Sequence, residues 1–225
     1  MKRILAAIIA AALLLSGCTS ASRPAESAPP TGTPSPSPTP VVTPTPEPEP
    51  ADDELVLVRD YIPGIFIDLK YATTDNFTGQ VIYDSDEAYL RYGTVKKLLA
   101  AQNELSGRGL SLKIWDAYRP VSAQFKLWEI CPNPVYVSNP NNGYSKHSRA
   151  NTVDITLVTS TGESIPMPSG FDDFTSLADR DYSDVSAEAA ENARLLESIM
   201  VENGFVPYSG EWWHYSDSVS YDVYG

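Results

Sequence analysis

The segment Glu211-Trp212-Trp213-His214-Tyr215 decides how this chain is interpreted, because it combines three large aromatic residues with an acid and a histidine. Aromatic residues favour a pleated, half-buried strand, so we predict that this segment belongs to a sheet. The chain has only two histidines. The other one, His147, lies in a second polar segment, Ser145-Lys146-His147-Ser148-Arg149-Ala150-Asn151-Thr152-Val153-Asp154.

These two segments together offer two imidazoles and one carboxylate, from His147, His214 and Asp154. Such a set, with a fourth position left open for water, is typical of a catalytic zinc site, because the metal acidifies that water. We therefore hypothesise one Zn²⁺ per chain, held by these three side chains, and a hydrolytic reaction. The alternative is a surface loop around His147 and an aromatic core strand whose charges are solvated.

Glu211 stands three residues before His214 and is the candidate general base. On a helix the two side chains would share a face, whereas on a regular strand they would point in opposite directions. The strand prediction therefore requires a bend or a bulge in this segment. In either case we expect Glu211 to lie close enough to a metal-site water to accept its proton.

Another polar group follows a predicted strand that ends near Ile114, in the sequence Trp115-Asp116-Ala117-Tyr118-Arg119-Pro120. Proline biases the residue before it towards extended backbone, which places Arg119 at the end of the strand. An arginine there is a candidate to contact the oxyanion that forms when a peptide is attacked. The alternative is a structural, buried ion pair between Arg119 and Asp116.

The spacing of apolar residues predicts both strands and helices in the rest of the chain. Alternating apolar residues indicate strands, and apolar residues three or four apart indicate helices. The predicted strands cover residues 55–58, 65–69, 110–114 and 153–158, and the predicted helices cover 94–105, 121–130 and a segment from a Ser186 cap to Gly204. Because strands and helices do not alternate regularly, we predict an α+β fold: a single domain with a central, mainly antiparallel sheet flanked by helices, and the zinc site at the sheet.

The first 53 residues differ in composition from the rest of the chain. Two basic residues precede an apolar run too short to span a bilayer, and Leu15-Ser16-Gly17-Cys18 resembles a bacterial lipobox. We predict a lipoprotein signal peptide over residues 1–17, a lipid on Cys18 followed by a proline-rich linker over 18–53, and the catalytic domain over 54–225. The protein would then be exported and anchored to the outer face of the bacterial cytoplasmic membrane. The alternatives are an ordinary secretory signal and a short membrane anchor.

The net charge and the cysteine count limit the partners and the source of stability. A formal net charge of −13 repels phosphate backbones, so we predict no nucleic-acid partner. After lipidation of Cys18, only Cys131 is left, so the stability of the mature protein must come from a packed core.

Four segments, taken in order, resemble the VanX-type D-alanyl-D-alanine dipeptidases, which belong to a wider family of zinc D-Ala-D-Ala peptidases. The segments are Asp68–Gly79, Asp116–Pro120, Ser145–Asp154 and Glu211–Tyr215. The likeness covers the whole predicted domain. It implies hydrolysis of the D-Ala-D-Ala dipeptide into two D-alanines in cell-wall peptide metabolism.

The resemblance also implies roles for individual residues. His147, Asp154 and His214 correspond to the zinc ligands. Glu211 corresponds to a general acid/base that takes a proton from water and passes it to the leaving amine. Arg119 corresponds to the residue that stabilises the tetrahedral intermediate and orients the substrate.

Three further residues match positions that bind the substrate in the family. Tyr71 and Ser145 correspond to residues that line the pocket, and Asp172 corresponds to a carboxylate that receives the free ammonium of the dipeptide. A buried carboxylate paired with an amine distinguishes a free dipeptide from a peptide that is blocked at its N-terminus.

The chain departs from the family pattern near His147, where Ala150 replaces the usual glycine and Thr152 replaces a small residue. Alanine is disfavoured where the backbone needs a positive φ, so we expect a change in this loop if the glycine is needed for its conformation. Two other functions stay open at this point. They are a D,D-carboxypeptidase that trims D-Ala from peptidoglycan peptides and a non-catalytic lipoprotein that binds the cell wall.

Overall fold

The computed structural model describes residues 48–225. The predicted signal peptide, the lipidated Cys18 and most of the predicted linker lie outside the described residues. The described strands are β1 (Leu55–Leu57), β2 (Phe66–Ile67), β3 (Tyr89–Arg91), β4 (Leu110–Asp116), β5 (Thr152–Thr159), β6 (Phe205–Tyr208) and β7 (Glu211–Asp217). The described α-helices are α1 (Val58–Tyr61), α2 (Tyr92–Ser106), α3 (Val121–Ile130) and α4 (Ala187–Glu202).

A five-stranded sheet forms the centre of the fold, with the strand order β2-β4-β5-β7-β6. Strands β2 and β4 run parallel, and each of the other neighbouring pairs is antiparallel. Strands β1 and β3 form a separate two-stranded sheet. The predicted α+β fold with a mainly antiparallel central sheet is confirmed.

The alternation predicted for β5 places its apolar residues on one face of this sheet. Ile155 and Leu157 are opposite Ile114 and Leu112 of β4, and all four side chains are buried. Helix α2 packs on β4 and helix α4 packs on β5 and β7. This leaves the other face of β5, which carries Asp154, for the polar site.

The ends of the strands and helices differ from the predicted ones mainly in the N-terminal part of the domain. The strand predicted over 55–58 ends at Leu57, and the strand predicted over 65–69 shortens to Phe66–Ile67. Strand β3 was not predicted, because Tyr89-Leu90-Arg91 does not alternate between apolar and polar residues. By contrast, helix α3 has its predicted bounds, and the predicted Ser186 cap is confirmed by its Oγ, which accepts the Ala189 N–H at 3.1 Å.

The part of the chain from residue 48 onwards contains no helix that combines the length and apolar character needed to cross a membrane.

Candidate active site

A row of polar side chains crosses three neighbouring strands of the central sheet. Asp154 of β5 is in register with His214 of β7 on one side and with Asp116 of β4 on the other. Directly opposed residues on adjacent strands have their side chains on the same face. The sheet itself therefore brings two carboxylates and one imidazole together, and all three side chains are largely buried.

A β-bulge in β4 places Asp116 in this row. Ile114 pairs with Ile155, but Asp116 pairs with Asp154, so β4 carries one extra residue at this point. In a regular ladder Asp116 would be opposite Val153, whose side chain lies on the core face. The bulge thus moves the Asp116 carboxylate from the core face to the face that carries Asp154.

A second bulge lies in β7, where the spacing between Glu211 and His214 required one. Pro207 of β6 pairs with Tyr215, but the next residue, Tyr208, pairs with Glu211. The additional residues of β7 bend the strand. As a result, Glu211 Oε2 lies 3.5 Å from His214 Nδ1, so the acid and the imidazole face the same site although they share a strand.

His147 is presented by a short 3₁₀ helix, Lys146–Arg149, that precedes β5. The Ser145 hydroxyl caps this turn by accepting the His147 backbone N–H at 3.3 Å. The ring atom Nδ1 of His147 lies 2.9 Å from the Ala117 carbonyl oxygen, which can only accept a hydrogen bond. The proton therefore resides on Nδ1, and the lone pair of Nε2 is directed towards the Asp154 carboxylate, 3.3 Å away.

Ala150 ends this turn with left-handed backbone dihedrals, φ 58° and ψ 30°. An alanine in this conformation costs about 1–2 kcal/mol, because its Cβ approaches a carbonyl oxygen. Alanine is therefore strained at this position, where a glycine would adopt the same backbone readily. The other departure, Thr152, is buried and its hydroxyl donates to Ser216 Oγ at 3.0 Å.

The three predicted metal ligands converge in this structure. His147, Asp154 and His214 each offer one ligand atom, and these atoms all lie within 4.8 Å of one another. His214 Nδ1 is 2.9 Å from Asp154 Oδ1. The Nε2 lone pair of His147 and the carboxylate of Asp154 repel each other unless a proton or a cation lies between them, so the donor set fits a metal ion.

The charges of these groups reinforce one another. Burial opposes ionisation of Asp154, but His147 and His214 together lower its pKa well below the usual range. Burial by itself would lower the pKa of His147. The carboxylates of Asp154 and Asp116 outweigh burial, so the pKa of His147 is raised. Both shifts show that the buried carboxylates favour a positive charge between them and the imidazoles, which suits a divalent cation.

Glu211 combines partial exposure with a raised pKa. About a third of its side chain is exposed, at 32%. Burial of the remainder and, secondly, repulsion by Asp154 raise the pKa of its carboxyl group. A carboxylate whose pKa is shifted towards neutrality and that is open to water is suited to take up and release a proton.

Arg119 is fixed by three neighbours. Its Nη2 donates to Asp116 Oδ2 at 2.6 Å, its Nη1 donates to Gln124 Oε1 at 2.9 Å, and its Nε donates to Tyr83 Oη at 3.3 Å. The ion pair with Asp116, the structural alternative for this arginine, is thus present. A guanidinium has five N–H groups, so two are left over for a further acceptor. The two interpretations of Arg119 are therefore compatible.

Two residues of this network, Gln124 and Tyr83, were not predicted. Gln124 is fully buried and links Arg119 to the loop before His147, because its Nε2 donates to the Ser138 carbonyl at 2.7 Å. The available signal was that this polar residue stands in the first turn of α3, four positions after Pro120. No sequence signal pointed to Tyr83, which lies 33 residues before its partner Asp116.

Tyr71 and Asp172, both predicted to bind substrate, are in contact. The Tyr71 hydroxyl donates to Asp172 Oδ2 at 2.6 Å. The Tyr71 ring also packs against the Arg119 guanidinium, whose central carbon is 5.0 Å from the ring centroid. Burial raises the pKa of Asp172 to about 8, although the hydrogen bond from Tyr71 opposes the shift.

Ser145, Glu211 and His214 line one cleft with a volume of about 310 Å³, together with Tyr136 and Tyr208. Ser145 thus both caps the turn of His147 and borders the cleft.

The two tryptophans of β7 are fully buried, and Trp212 Nε1 donates to Ser169 Oγ at 2.9 Å. They belong to the buried core of the domain.

Comparison with known proteins assigns the family. Residues 51–221 match a peptidase family described as D-Ala-D-Ala dipeptidase. A D-alanyl-D-alanine dipeptidase of Escherichia coli is 39% identical over 162 residues, which cover 72% of this chain and 83% of that protein. The D-alanyl-D-alanine dipeptidase of Enterococcus faecium is 36% identical, over 69% of this chain and 87% of that protein.

Among solved structures, VanYB in complex with D-alanine-D-alanine is similar at a TM-score of 0.40 and 15% identity, covering 60% of this chain and 75% of that one. The family match extends over about three quarters of the sequence and includes each of the segments that form the site. The chain belongs to the D-Ala-D-Ala dipeptidase family of metallopeptidases.

Proposed function

We propose that this protein hydrolyses the dipeptide D-Ala-D-Ala into two D-alanines and that it uses one zinc ion held by His147, Asp154 and His214. The observation that carries the proposal is the convergence of these three ligands beside the partly exposed Glu211. The names of the similar proteins support the substrate. Two imidazoles and one carboxylate favour zinc among the divalent metals.

Zinc bound there would polarise the peptide carbonyl and lower the pKa of water. The residues of the chain provide the rest of the reaction. Glu211 takes a proton from water as the new C–O bond forms, and it returns that proton to the leaving amine as the C–N bond breaks. The two uncommitted N–H groups of Arg119 donate to the oxyanion of the tetrahedral intermediate.

Recognition of a free dipeptide falls to Asp172 and Tyr71. The ionised form of the buried Asp172 gains a counter-ion when the ammonium of the dipeptide binds, whereas an N-acylated peptide offers no positive charge to pair with it. Tyr71 orients the carboxylate through its 2.6 Å hydrogen bond. Ser145 borders the cleft that Glu211 and His214 also line, where it is available to the substrate.

The test is a paired-substrate assay on the purified full-length chain. We expect D-Ala-D-Ala to be cleaved, N-acetyl-D-Ala-D-Ala to resist cleavage, and a chelator to abolish the activity until zinc is added back. Cleavage of the acetylated peptide alone would identify a D,D-carboxypeptidase instead. A protein that binds no metal and cleaves neither compound would be the non-catalytic wall-binding lipoprotein.

We also propose that the protein is exported and held at the outer face of the cytoplasmic membrane by a lipid on Cys18. The support is the sequence alone: Lys2 and Arg3 before an apolar run, and the lipobox-like Leu15-Ser16-Gly17-Cys18. We expect the Cys18→Ser variant to lose labelling by a radioactive fatty acid in bacterial cells. Equal labelling of the variant and the wild type would reject the assignment.

A further inference from the structure

The turn that carries His147 is bonded to the C-terminal segment, residues 219–225. The backbone N–H of Tyr224 donates to the Ser148 carbonyl at 2.9 Å. The Arg149 side chain donates through Nη1 to the Tyr221 carbonyl at 2.7 Å. Two residues that directly follow the metal ligand are therefore tied to a segment that contributes no ligand of its own.

Arg91 of β3 joins this segment to the same turn. Its backbone N–H donates to the Ala150 carbonyl at 2.8 Å, and its side-chain Nε donates to the Arg149 carbonyl at 3.1 Å. Its Nη2 donates to the Asp222 carbonyl at 2.8 Å, and its Nη1 donates to the Asp53 carbonyl. Arg91 is only 8% exposed, so these bonds are shielded from water.

Two tyrosine rings flank the Arg91 guanidinium. Its central carbon lies 4.8 Å from the ring centroid of Tyr224 and 5.5 Å from that of Tyr221. The Tyr221 hydroxyl in turn lies against the start of α2, because a Cβ added at Gly93 would be 2.5 Å from it. A planar guanidinium can lie between rings while its three nitrogens donate to separate carbonyls, whereas a lysine ammonium donates from a single nitrogen.

The bonds made by Arg91 act on the strained residue of the turn. Ala150 holds a left-handed backbone that glycine adopts readily and alanine does not. Relaxation of Ala150 would change the path of the chain between His147 and Asp154, and so the distance between two metal ligands. The bonds to the carbonyls of Arg149 and Ala150 hold the two peptide groups that flank Ala150, and these are the groups that would have to rotate.

We infer that Arg91, held between Tyr221 and Tyr224, is a positioning residue for the metal ligand His147: it keeps the turn in a conformation that Ala150 does not favour by itself. This inference rests on the metal site of the proposed function. The hydrogen bonds of Arg91 go to backbone carbonyls and not to His147, Asp154 or His214, so its effect on the proposed metal site passes through the backbone of the turn.

The test compares Arg91→Lys with Gln102→Ala in the full-length chain. Gln102 is a buried polar residue that fixes α2 to β4 and makes no contact with the turn, so its variant is a matched control for general destabilisation. Zinc affinity is measured by competition with a chromophoric chelator. We expect at least a tenfold loss of affinity in Arg91→Lys and less than a twofold change in Gln102→Ala.

Rescue by glycine gives the decisive comparison. In Arg91→Lys the added substitution Ala150→Gly should recover most of the lost affinity, because glycine enters the left-handed conformation without the help of Arg91. In the wild type the same substitution should change the affinity less than twofold. An Arg91→Lys affinity within twofold of the wild type, or a loss that Ala150→Gly does not reduce, would overturn the inference. If Arg91→Lys does not fold, Tyr224→Leu removes one ring and is assessed by the same criteria.

Amide hydrogen exchange of the metal-free protein separates this inference from the proposed function. The amides of Ser148 and Ala150 are bonded within the turn and report on its opening. We expect faster exchange at both in Arg91→Lys and unchanged exchange in α4. If the wild type binds no zinc, that result contradicts the proposed function but not the role of Arg91. The exchange rates of the Ser148 and Ala150 amides then test Arg91 by themselves. Unchanged rates in Arg91→Lys would reject its role.

Discussion

Replacement of Asp172 by asparagine should make the metal-free protein more stable and the enzyme less active. Burial raises the pKa of this carboxyl group to about 8, against an ordinary value of 3.8. Between these two pH values the unfolded chain has released the proton and the folded chain has kept it. The folded state binds more protons than the unfolded state over this range, so wild-type stability falls as the pH rises from about 4 to about 8.

The size of the effect follows from the two pKa values of 3.8 and about 8. Each unit of difference corresponds to about 1.4 kcal/mol, so the penalty is about 1 kcal/mol at pH 4.5 and about 4 kcal/mol at pH 7. Asparagine has nearly the same shape, carries no charge and can still accept the hydrogen bond from Tyr71. For a domain of this size the difference at pH 7 corresponds to a rise of roughly 10 °C in melting temperature.

The assay is thermal unfolding of wild type and Asp172→Asn with a chelator present, at pH 4.5 and at pH 7. We expect the gap in melting temperature to widen several-fold between the two conditions. Asp86→Asn, a change at an exposed carboxylate, serves as the control and should follow the wild type at both pH values. A gap that is the same at pH 4.5 and pH 7 would show that Asp172 is already ionised in the folded protein. In the loaded enzyme, Asp172→Asn should raise the KM for D-Ala-D-Ala, because the ammonium loses its counter-ion.

Three further substitutions test the assigned roles. Glu211→Gln should bind zinc with unchanged affinity and lose about 10²–10⁴-fold in kcat, as expected for removal of a general base. A kcat near that of the wild type would exclude Glu211 as the general base. Arg119→Lys keeps the charge but not the planar fork that reaches Asp116, and kcat should fall by about 10²–10³-fold, with normal metal content as the control. Phe174 lines a second cleft beside Glu211, and its ring centroid lies 4.5 Å from that of Tyr136, which borders both clefts. Phe174→Ala opens this side, so the variant should cleave N-acetyl-D-Ala-D-Ala faster relative to the free dipeptide. An unchanged ratio of the two kcat/KM values would show that these rings do not limit substrate length.

Local patterns were enough to predict most of the regular elements. Helix α3 could be bounded because its apolar residues are followed by Pro132, and α4 could be placed because Ser186 is a good N-cap. The alternation in β5 separated Asp154 from Ile155 and Leu157. In each case the signal lies within a few residues of the element it predicts.

The site could be predicted only in part, because its geometry depends on long-range pairing. Spacing required a bulge between Glu211 and His214, but nothing local indicated the bulge that turns Asp116 towards Asp154. The hydrogen bond between Tyr71 and Asp172 joins residues 101 positions apart, and only the family resemblance placed both in one pocket.

Asp116 links the two halves of the proposed chemistry. Its carboxylate accepts hydrogen bonds from Tyr83 Oη, from the Ala117 N–H at 2.9 Å and from Arg119 Nη2 at 2.6 Å. The same group lies 3.5 Å from Nδ1 of His147, whose proton is donated to the Ala117 carbonyl. One buried acid thus orients the arginine proposed to stabilise the oxyanion and also helps to set the ring of a proposed metal ligand. Because the position of Asp116 is itself fixed by a bulge, the sheet helps to set how far the proposed oxyanion donor lies from the proposed metal ligands.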